Sequence, residues 1–495
     1  MESIKGALER IVGPEWVSDD PVILLAYGRD ITSLSTAIGG GFIPQRMPEF
    51  VVLPENTEQV SKIIRLANNH KIPIVPGTTA ANVSSTSIPT QGGIRIDFKR
   101  MNKVLEIDEV DMRAKIQPCV TYAMLQSEAH KRGLQTFITA APFTGTPVGN
   151  SIFCGIGRNQ NQIGMAFQQI ICVEMVLADG TVVRTGPNSD FLAKGAYFWH
   201  GPGPDLTYFP MYVHGGFGVV TEMDWKLHRF PEERQTMHIF FQNLGEVVGA
   251  HNELARSELP KGLAIAPAPY YGQRYADNWE AIERCVRAWP KYVLALNLEG
   301  TKRQVAYEKT VVEKVIKKYN GRLLDKLPSE AQERYLFTED GATRGDYCAG
   351  TTCAWAVGAT RQTGYFAIVG ISEIQEITEL YVEWSQKVDP EYTKGRGRWW
   401  LPIYIYTFNW GHCAYVELMN FSKPNPTKLQ DFQEHVVRGG AAARACLNRG
   451  AYSLPLMVRD DGRIGSRMGV YYEKLREIKE IVDPNNILNP GMMLP

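Results

Sequence analysis

The chain has 495 residues, and its 53 basic side chains are matched by 53 acidic ones. Such a length exceeds one ordinary domain, so two or three are expected, and the balanced charge removes the global attraction to nucleic acid or anionic membrane that a basic protein carries. Met1 to Gly6 shows no apolar core leading to a small-residue cleavage site, and no run of about 18 apolar residues occurs, so a cytoplasmic protein without a membrane span is expected. The cysteines at 119, 154, 172, 285, 348, 353, 413 and 446 lack the paired spacings of zinc or iron–sulfur sites. Reduced structural thiols and no metal site are expected.

In chain order, Phe50 to Leu53 reads as a strand, Thr57 to His70 as a helix and Ile72 to Val75 as a second strand, with Ile94 to Asp97 following. Asn56 or Thr57 can cap the helix, and Val60, Ile63, Ile64 and Ala67 share one face at helical spacing. The pattern predicts a βαβ unit. Its second strand runs into Pro76-Gly-Thr-Thr-Ala-Ala-Asn-Val-Ser-Ser85, a small, uncharged loop whose backbone can approach the oxygens of a pyrophosphate closely. A second cluster of small residues, Thr144-Gly-Thr-Pro-Val-Gly-Asn-Ser151, is followed by Gly155, Gly157 and Gly164. Ile170 to Leu177 and Thr181 to Gly186 read as a hairpin about Asp179-Gly180. A third cluster, His214-Gly-Gly-Phe-Gly-Val-Val-Thr221, leads into an alternating strand from Met223 to His228. Beyond it, helices over Gln304 to Tyr319 and Ile374 to Val388 alternate with strands over Tyr292 to Leu298, Tyr365 to Val369 and Pro402 to Thr407. No GxGxxG opens a helix after a strand and no GxxxxGK[ST] occurs, so a nicotinamide-type doubly wound domain is not expected.

The order of these blocks resembles the vanillyl-alcohol oxidase and p-cresol methylhydroxylase superfamily of FAD-linked oxidases. The resemblance rests on the Pro76–Ser85 loop, Arg100 to Asp108, Pro147-Val-Gly-Asn150, Glu174 to Gly180, Gly215 to Glu222 and the tail Ile478-Lys-Glu-Ile-Val-Asp-Pro-Asn-Asn-Ile-Leu-Asn-Pro-Gly491. It implies an α+β fold: a two-lobed FAD-binding domain over 1–232, an α+β cap with an antiparallel sheet over 233–454, and a C-terminal segment, 455–495, returning to the FAD domain. FAD would be held by Pro76, Gly77, Thr78, Thr79, Ala80, Ala81 and Asn82, by Gly145, Thr146, Gly149, Asn150 and Gly155, and by Gly218, Val220 and Thr221. A non-covalent flavin is expected, because Gly397 or Arg398 stands where relatives carry an attachment residue; His214 remains an open candidate for a link.

An isoalloxazine performs the hydride chemistry itself, so the protein need only position a C–H bond and manage a proton and the developing charge. Lys394 to Cys413 supplies candidates: Arg396 and Arg398 to neutralise an oxyanion, and Tyr404 and His412 to take or hold a proton, with Tyr452 further on. Two readings of His412 stay open, a base and a satisfied core histidine. Departures from the family pattern bear on the substrate. Tyr452-Ser453 lacks the arginine that follows this tyrosine in phenol-oxidising members, Val83 to Ser87 has no tyrosine, and Ala140 to Phe143 replaces an expected acidic residue. Gly411-His412 is followed by no second histidine of the kind seen in metal-binding hydroxy-acid dehydrogenases, which leaves only a His412 and Glu417 pair to consider. Three functions follow: an oxidoreductase for an alcohol, benzylic or related activated C–H bond, a 2-hydroxy-acid dehydrogenase, or an electron-relaying flavoprotein subunit. A small-molecule substrate and a homo-oligomer are expected, while oxygen, quinone, cytochrome or flavoprotein carrier are all open as electron acceptor.

Overall fold

The computed structural model describes residues 3–28, 46–79, 86–139, 143–190, 203–267, 291–323, 361–388, 403–422, 441–453 apart from 443, and 467–492. Helices Ile4–Val12 (α1), Pro21–Tyr27 (α2) and Thr57–His70 (α3) accompany a first sheet of Val17–Ser18 (β1), Phe50–Val52 (β2), Ile74–Gly77 (β3) and Ile94–Asp97 (β4). Asn56 caps α3, its side chain accepting from the Gln59 N–H at 2.9 Å and so satisfying a donor that the helix leaves over. The apolar stripe behaves as its spacing predicts: Val60, Ile63, Ile64 and Ala67 are all fully buried against Val52, Ile74, Ile94 and Ile96. The βαβ expectation needs one correction. The sheet order is β1-β2-β4-β3, so β2 and β3 are parallel but are separated by β4, to which both pair. A central strand must be buried on both faces, and β4 is buried at every position while β3 is half-buried at its end.

A second sheet, in the order β5-β6-β10-β8-β9, is antiparallel throughout. It is made by Val104–Asp108 (β5), Arg113–Ile116 (β6), Ile170–Val176 (β8), Val182–Arg184 (β9) and Val219–Lys226 (β10). The expected hairpin is the β8–β9 pair, and its turn docks on α3, where the Ser61 hydroxyl donates to the Gly180 carbonyl at 2.5 Å. Gly180 has φ 81°, and a Cβ there would stand 2.3 Å from the Arg65 side chain, so the turn requires glycine twice over. Leu134–Gln135 (β7) pairs with His228–Arg229 (β11) beside this sheet, and Tyr122–His130 (α4), Pro147–Ile152 (α5) and Gln160–Ile163 (α6) surround it.

Residues from Glu233 to Ser453 supply every strand of an eight-stranded antiparallel sheet, ordered β15-β12-β14-β13-β17-β18-β16-β19. The strands are Glu233–Phe241 (β12), Gly262–Pro267 (β13), Tyr292–Gly300 (β14), Arg322–Leu323 (β15), Arg361–Gly370 (β16), Ile403–Phe408 (β17), Cys413–Ser422 (β18) and Tyr452–Ser453 (β19). Leu244–Arg256 (α7), Lys302–Lys318 (α8) and Ile374–Val388 (α9) cover one face, where Val247, Val312 and Ile377 join Ile239, Ile265, Leu296, Ile405, Val416 and Val369 in one core. Finally Val470–Val482 (α10) carries the chain back to the first sheet, where Leu488 bridges Ile74 in parallel. The fold is thus α+β, with mixed and antiparallel sheets as expected. Cys119, Cys154, Cys172, Cys413 and Cys446 are free thiols, and burial pushes Cys119 up to about 11 and Cys446 to about 12. No described helix is long and apolar enough to cross a membrane.

His251, on the buried side of α7, is wholly enclosed and meets the Asn252 amide oxygen at 3.0 Å. Burial lowers its pKa to about 4, below the value of about 6.5 it has when unfolded. The neutral ring therefore contributes stability in full above pH 6.5, and that contribution is lost as pH falls towards 4. The linkage amounts to about 3 kcal/mol. Urea unfolding between pH 7.5 and 4.5 should show a steeper loss for the parent than for His251→Leu; equal slopes would contradict the assignment.

Candidate functional site

The three clusters of small residues converge at the open end of the first sheet. At the end of β3, Gly77 lies over Arg95 of β4, which is 2% exposed and donates from Nη1 to the Val75 carbonyl at 3.1 Å. A Cβ on Gly77 would stand 1.9 Å from Arg95 Nη2, so the loop needs glycine in order to rest on a guanidinium. A fixed positive charge in low dielectric behind a small-residue loop suits a diphosphate in front of it. Thr78 begins the loop. Thr146 Oγ1 donates to Thr78 Oγ1 at 3.1 Å while accepting from the Gly149 N–H at 3.0 Å as the cap of α5. Thr78 thus serves as acceptor to Thr146 and keeps its own proton for an outside oxygen. At Gly149 a Cβ would press both hydroxyls, at 3.0 and 3.1 Å, so this cradle is shaped by the missing side chain.

Asn150 Nδ2 donates to the Tyr122 hydroxyl at 3.0 Å and to Thr139 Oγ1 at 3.4 Å. Gly155, expected as a cofactor contact, makes room for this amide: its Cβ would fall 1.6 Å from Asn150 Oδ1. In the third cluster, Gly215 (φ 82°) closes on Pro76, with 2.8 Å from a notional Cβ to the ring, which joins the first loop to the third. Val220 lies in the core of the second sheet, and the Thr221 hydroxyl donates to Glu174 at 2.9 Å, beside Thr57 at 2.7 Å. The Thr221 side chain is therefore committed within the protein. Pro76, Thr79 and Gly145 are half-buried along the same rim, and Gly218 is buried against Met175. Ala80, Ala81 and Asn82 lie outside the described residues.

The tail ties these loops together. Asn489 Nδ2 donates to the Thr86 carbonyl at 3.0 Å and to the His214 carbonyl at 2.7 Å, clamping the far side of the first loop to the start of the third. Lys479 of α10 is buried and donates to the carbonyls of Gly216 and Leu488 and, at 2.6 Å, to Asp483. Burial is the main influence on its pKa, which is lowered against the opposing pull of Asp483. Arg95, Tyr122, Lys479 and Asn489 were not legible as site residues. Only Lys479 left a signal, a lysine on the apolar stripe of Tyr472, Leu475 and Val482 with an aspartate four residues on.

The eight-stranded sheet turns its second face towards this half of the molecule. Glu299 accepts from Gln135 at 3.3 Å, Gly262 lies against the Arg158 carbonyl, and Tyr452 stands close enough to Cys154 to be influenced by it. The docking is fastened at α6. Asn161, fully buried, donates to the Pro260 carbonyl at 2.7 Å and accepts from Thr407 at 2.9 Å, while its own carbonyl takes the Trp410 N–H at 2.7 Å. In the register Ala264 opposes Tyr406, Tyr406 opposes Tyr415, Tyr415 opposes Ile368 and Ile368 opposes Tyr452, so these share the face away from α7, α8 and α9. One row along, Tyr404 opposes Glu417. Glu417 is 6% exposed and accepts from the Tyr415 hydroxyl at 3.2 Å. Tyr452 is 55% exposed, and its phenol is held above its usual range by burial of the hydroxyl, then by Tyr471 and Cys154.

His412 is elsewhere. It is exposed in the turn between β17 and β18, where Asn409, Trp410 and Gly411 all take positive φ so that the turn can sit on α6. It is neither a core histidine nor a neighbour of Tyr452 in the sheet. Arg396 and Arg398 lie outside the described residues. Among the described residues no group of three or more histidine, cysteine or carboxylate side chains is arranged to hold a metal ion.

Residues 48–186 match a family profile described as an FAD binding domain. The chain is 26% identical to the glycolate oxidase subunit GlcD of Bacillus subtilis (strain 168), over 99% of this chain and 97% of that protein. It is 25% identical to the flavoprotein subunit of 4-cresol dehydrogenase (hydroxylating) from Pseudomonas putida, over 90% and 87%. It shares the fold of p-cresol methylhydroxylase solved with substrate bound, with a TM-score of 0.81 at 20% identity, covering 99% of this chain and 95% of that one.

If the tail closes the cradle, Asn489→Leu strands two buried carbonyls and should lower the unfolding free energy by about 3 kcal/mol. FAD binding to the apoprotein, followed by fluorescence titration, should weaken about tenfold or more. Unchanged FAD affinity in a folded variant would contradict this role.

Proposed function

We propose that the chain is an FAD-linked oxidoreductase of the vanillyl-alcohol oxidase and p-cresol methylhydroxylase superfamily and that it oxidises an uncharged alcohol or benzylic substrate bearing a hydroxyl. Bound FAD supplies the hydride acceptor. Gly77, Thr78, Gly149 and Asn150 hold it, with Arg95 behind the diphosphate. The substrate lies between the cradle and the tyrosine-lined face of the eight-stranded sheet.

One observation carries the choice of substrate class: that face bears Tyr406, Tyr415 and Tyr452 with the buried carboxylate of Glu417 among them. A phenolic hydroxyl such as that of Tyr452 can hydrogen-bond a neutral substrate oxygen. Arg234, the described arginine of this face, is already held by Glu299 at 3.2 Å and by Gln135. Ala264, Ala266 and Ala295 keep the neighbouring strands thin, which leaves room for a flat ring. A second reading, a 2-hydroxy-acid dehydrogenase, is favoured by the full-length likeness to the glycolate oxidase subunit. It would assign the substrate carboxylate to Arg396 or Arg398.

The flavin is held without a covalent bond in this reading. Acid precipitation should leave the yellow colour in the supernatant, and colour in the pellet would make His214 the residue to map. Anaerobic bleaching of the purified protein decides between the two substrate classes. Benzylic alcohols and 4-alkylphenols should reduce the flavin about tenfold faster than glycolate or D-lactate; the reverse order would overturn the assignment.

A further inference from the structure

We propose that Tyr122 is a positioning residue for the cofactor: from the core of the second sheet it holds the Asn150 amide with its oxygen outward, where that oxygen accepts a hydrogen bond from an N–H or O–H group of FAD. The inference rests on the reading that the cradle holds FAD.

Tyr122 opens α4 and is fully buried, with the rings of Phe137 and Trp225 each 6.2 Å away between centroids. Phenylalanine would fill that space, so packing does not account for the hydroxyl, and a buried hydroxyl is costly unless it is hydrogen-bonded. Trp225 spends its indole N–H on Thr136 Oγ1 at 2.9 Å and makes no claim on the phenol. The phenol oxygen instead accepts from Asn150 Nδ2 at 3.0 Å. Burial pushes the phenol well above its ordinary pKa, against the smaller pull of Asn150, so it remains a neutral hydroxyl.

The same Asn150 nitrogen also donates to Thr139 Oγ1, at 3.4 Å. A primary amide carries two N–H donors, so both are committed inside the protein and the amide oxygen is turned the other way. The main chain of Asn150 is committed as well, its N–H to the Thr146 carbonyl at 2.9 Å and its carbonyl to the Gly155 N–H at 2.7 Å. Among the described residues nothing donates to Oδ1. The amide lies across Gly155, where a Cβ would fall 1.6 Å from Oδ1. Gly149, Asn150 and Gly155 are half-buried and form one edge of the cradle. This edge is continuous with the first loop, since Thr146 accepts from the Gly149 N–H at 3.0 Å and meets Thr78 at 3.1 Å. All of these residues fall within the stretch that matches the FAD-binding profile. An oxygen acceptor is mismatched to a diphosphate, which presents oxygens of its own. It suits a part of FAD that carries hydrogen, the isoalloxazine N–H or a ribityl hydroxyl.

The test titrates FAD into the apoproteins of the parent, Tyr122→Phe, Asn150→Ala and the double variant. Each single change should weaken FAD about tenfold, the effect of one lost hydrogen bond. The double variant should bind no more weakly than Asn150→Ala, because Tyr122 acts through that amide. A bond to the isoalloxazine N–H moves the flavin absorption band and midpoint potential together with the affinity, whereas a bond to a ribityl hydroxyl moves affinity alone. In either case Tyr122→Phe should reproduce the pattern of Asn150→Ala. Parental FAD affinity in either single variant, or losses that add in the double variant, overturns the proposal. Should Tyr122→Phe fail to fold, Asn150→Ala carries the test: a loss of about tenfold supports the acceptor role, and parental affinity overturns it. Failure of the parent itself to take up FAD would instead overturn the reading of the cradle.

Discussion

Asn489 donates one amide group to two carbonyls, those of Thr86 and His214, which belong to loops lying far apart in the chain. Neither Thr86 nor His214 lies in a helix or strand, so each carbonyl takes its partner from outside regular structure. The tail provides it in several places: Ile74 donates to Ile487, Asn489 donates back to Ile74, and Thr90 donates to Pro490. Lys479 adds the Gly216 carbonyl to the set, and its charge is balanced by Asp483 in the interior. A buried pair of this kind contributes little net stability, but removing one partner leaves an uncompensated charge. The tail thereby acts as a local fastening whose disruption opens the cradle before it unfolds the sheets.

The same economy of position explains the eight-stranded sheet. Its strands alternate between an aliphatic face under three helices and a face of tyrosines, alanines and the glutamates Glu299 and Glu417. The first holds the sheet together. The second is free of that task and can be shaped by chemistry, provided it is kept in register with the cradle. Asn161 fixes that register by engaging three segments of the sheet from a single turn of helix, and Gly262 permits the close approach at Arg158. Two halves with separate cores are held by buried hydrogen bonds whose geometry is more exacting than apolar contact.

Local signals in the sequence were read well where they were local in origin. The cap and stripe of α3, the Asp179-Gly180 turn and the full extent of α9 follow from spacing alone, whereas some expected strands are shifted or shortened, as at Ile74–Gly77 and Val182–Arg184, and others, such as β12, β13 and β18, were not expected. Arg95 went unnoticed because its meaning arises from the packing of β4 under Gly77, a contact between parallel neighbours that no single segment reveals. The same holds for Tyr415. The face that it shares with Tyr406 and Glu417 is set by pairing across β17, β18 and β16, which no single segment reveals. His412 is exposed because three successive residues with positive φ turn the chain before it, a conformation that two non-glycine residues adopt only under tertiary constraint.

Hydrogen–deuterium exchange of the apoprotein with and without FAD tests most directly whether the tail closes the cofactor cradle. Protection should rise about tenfold at Ile74, Leu488 and Asn489 when FAD binds, because opening the tail then requires release of the cofactor. Exchange at these amides that is indifferent to saturating FAD would contradict the account.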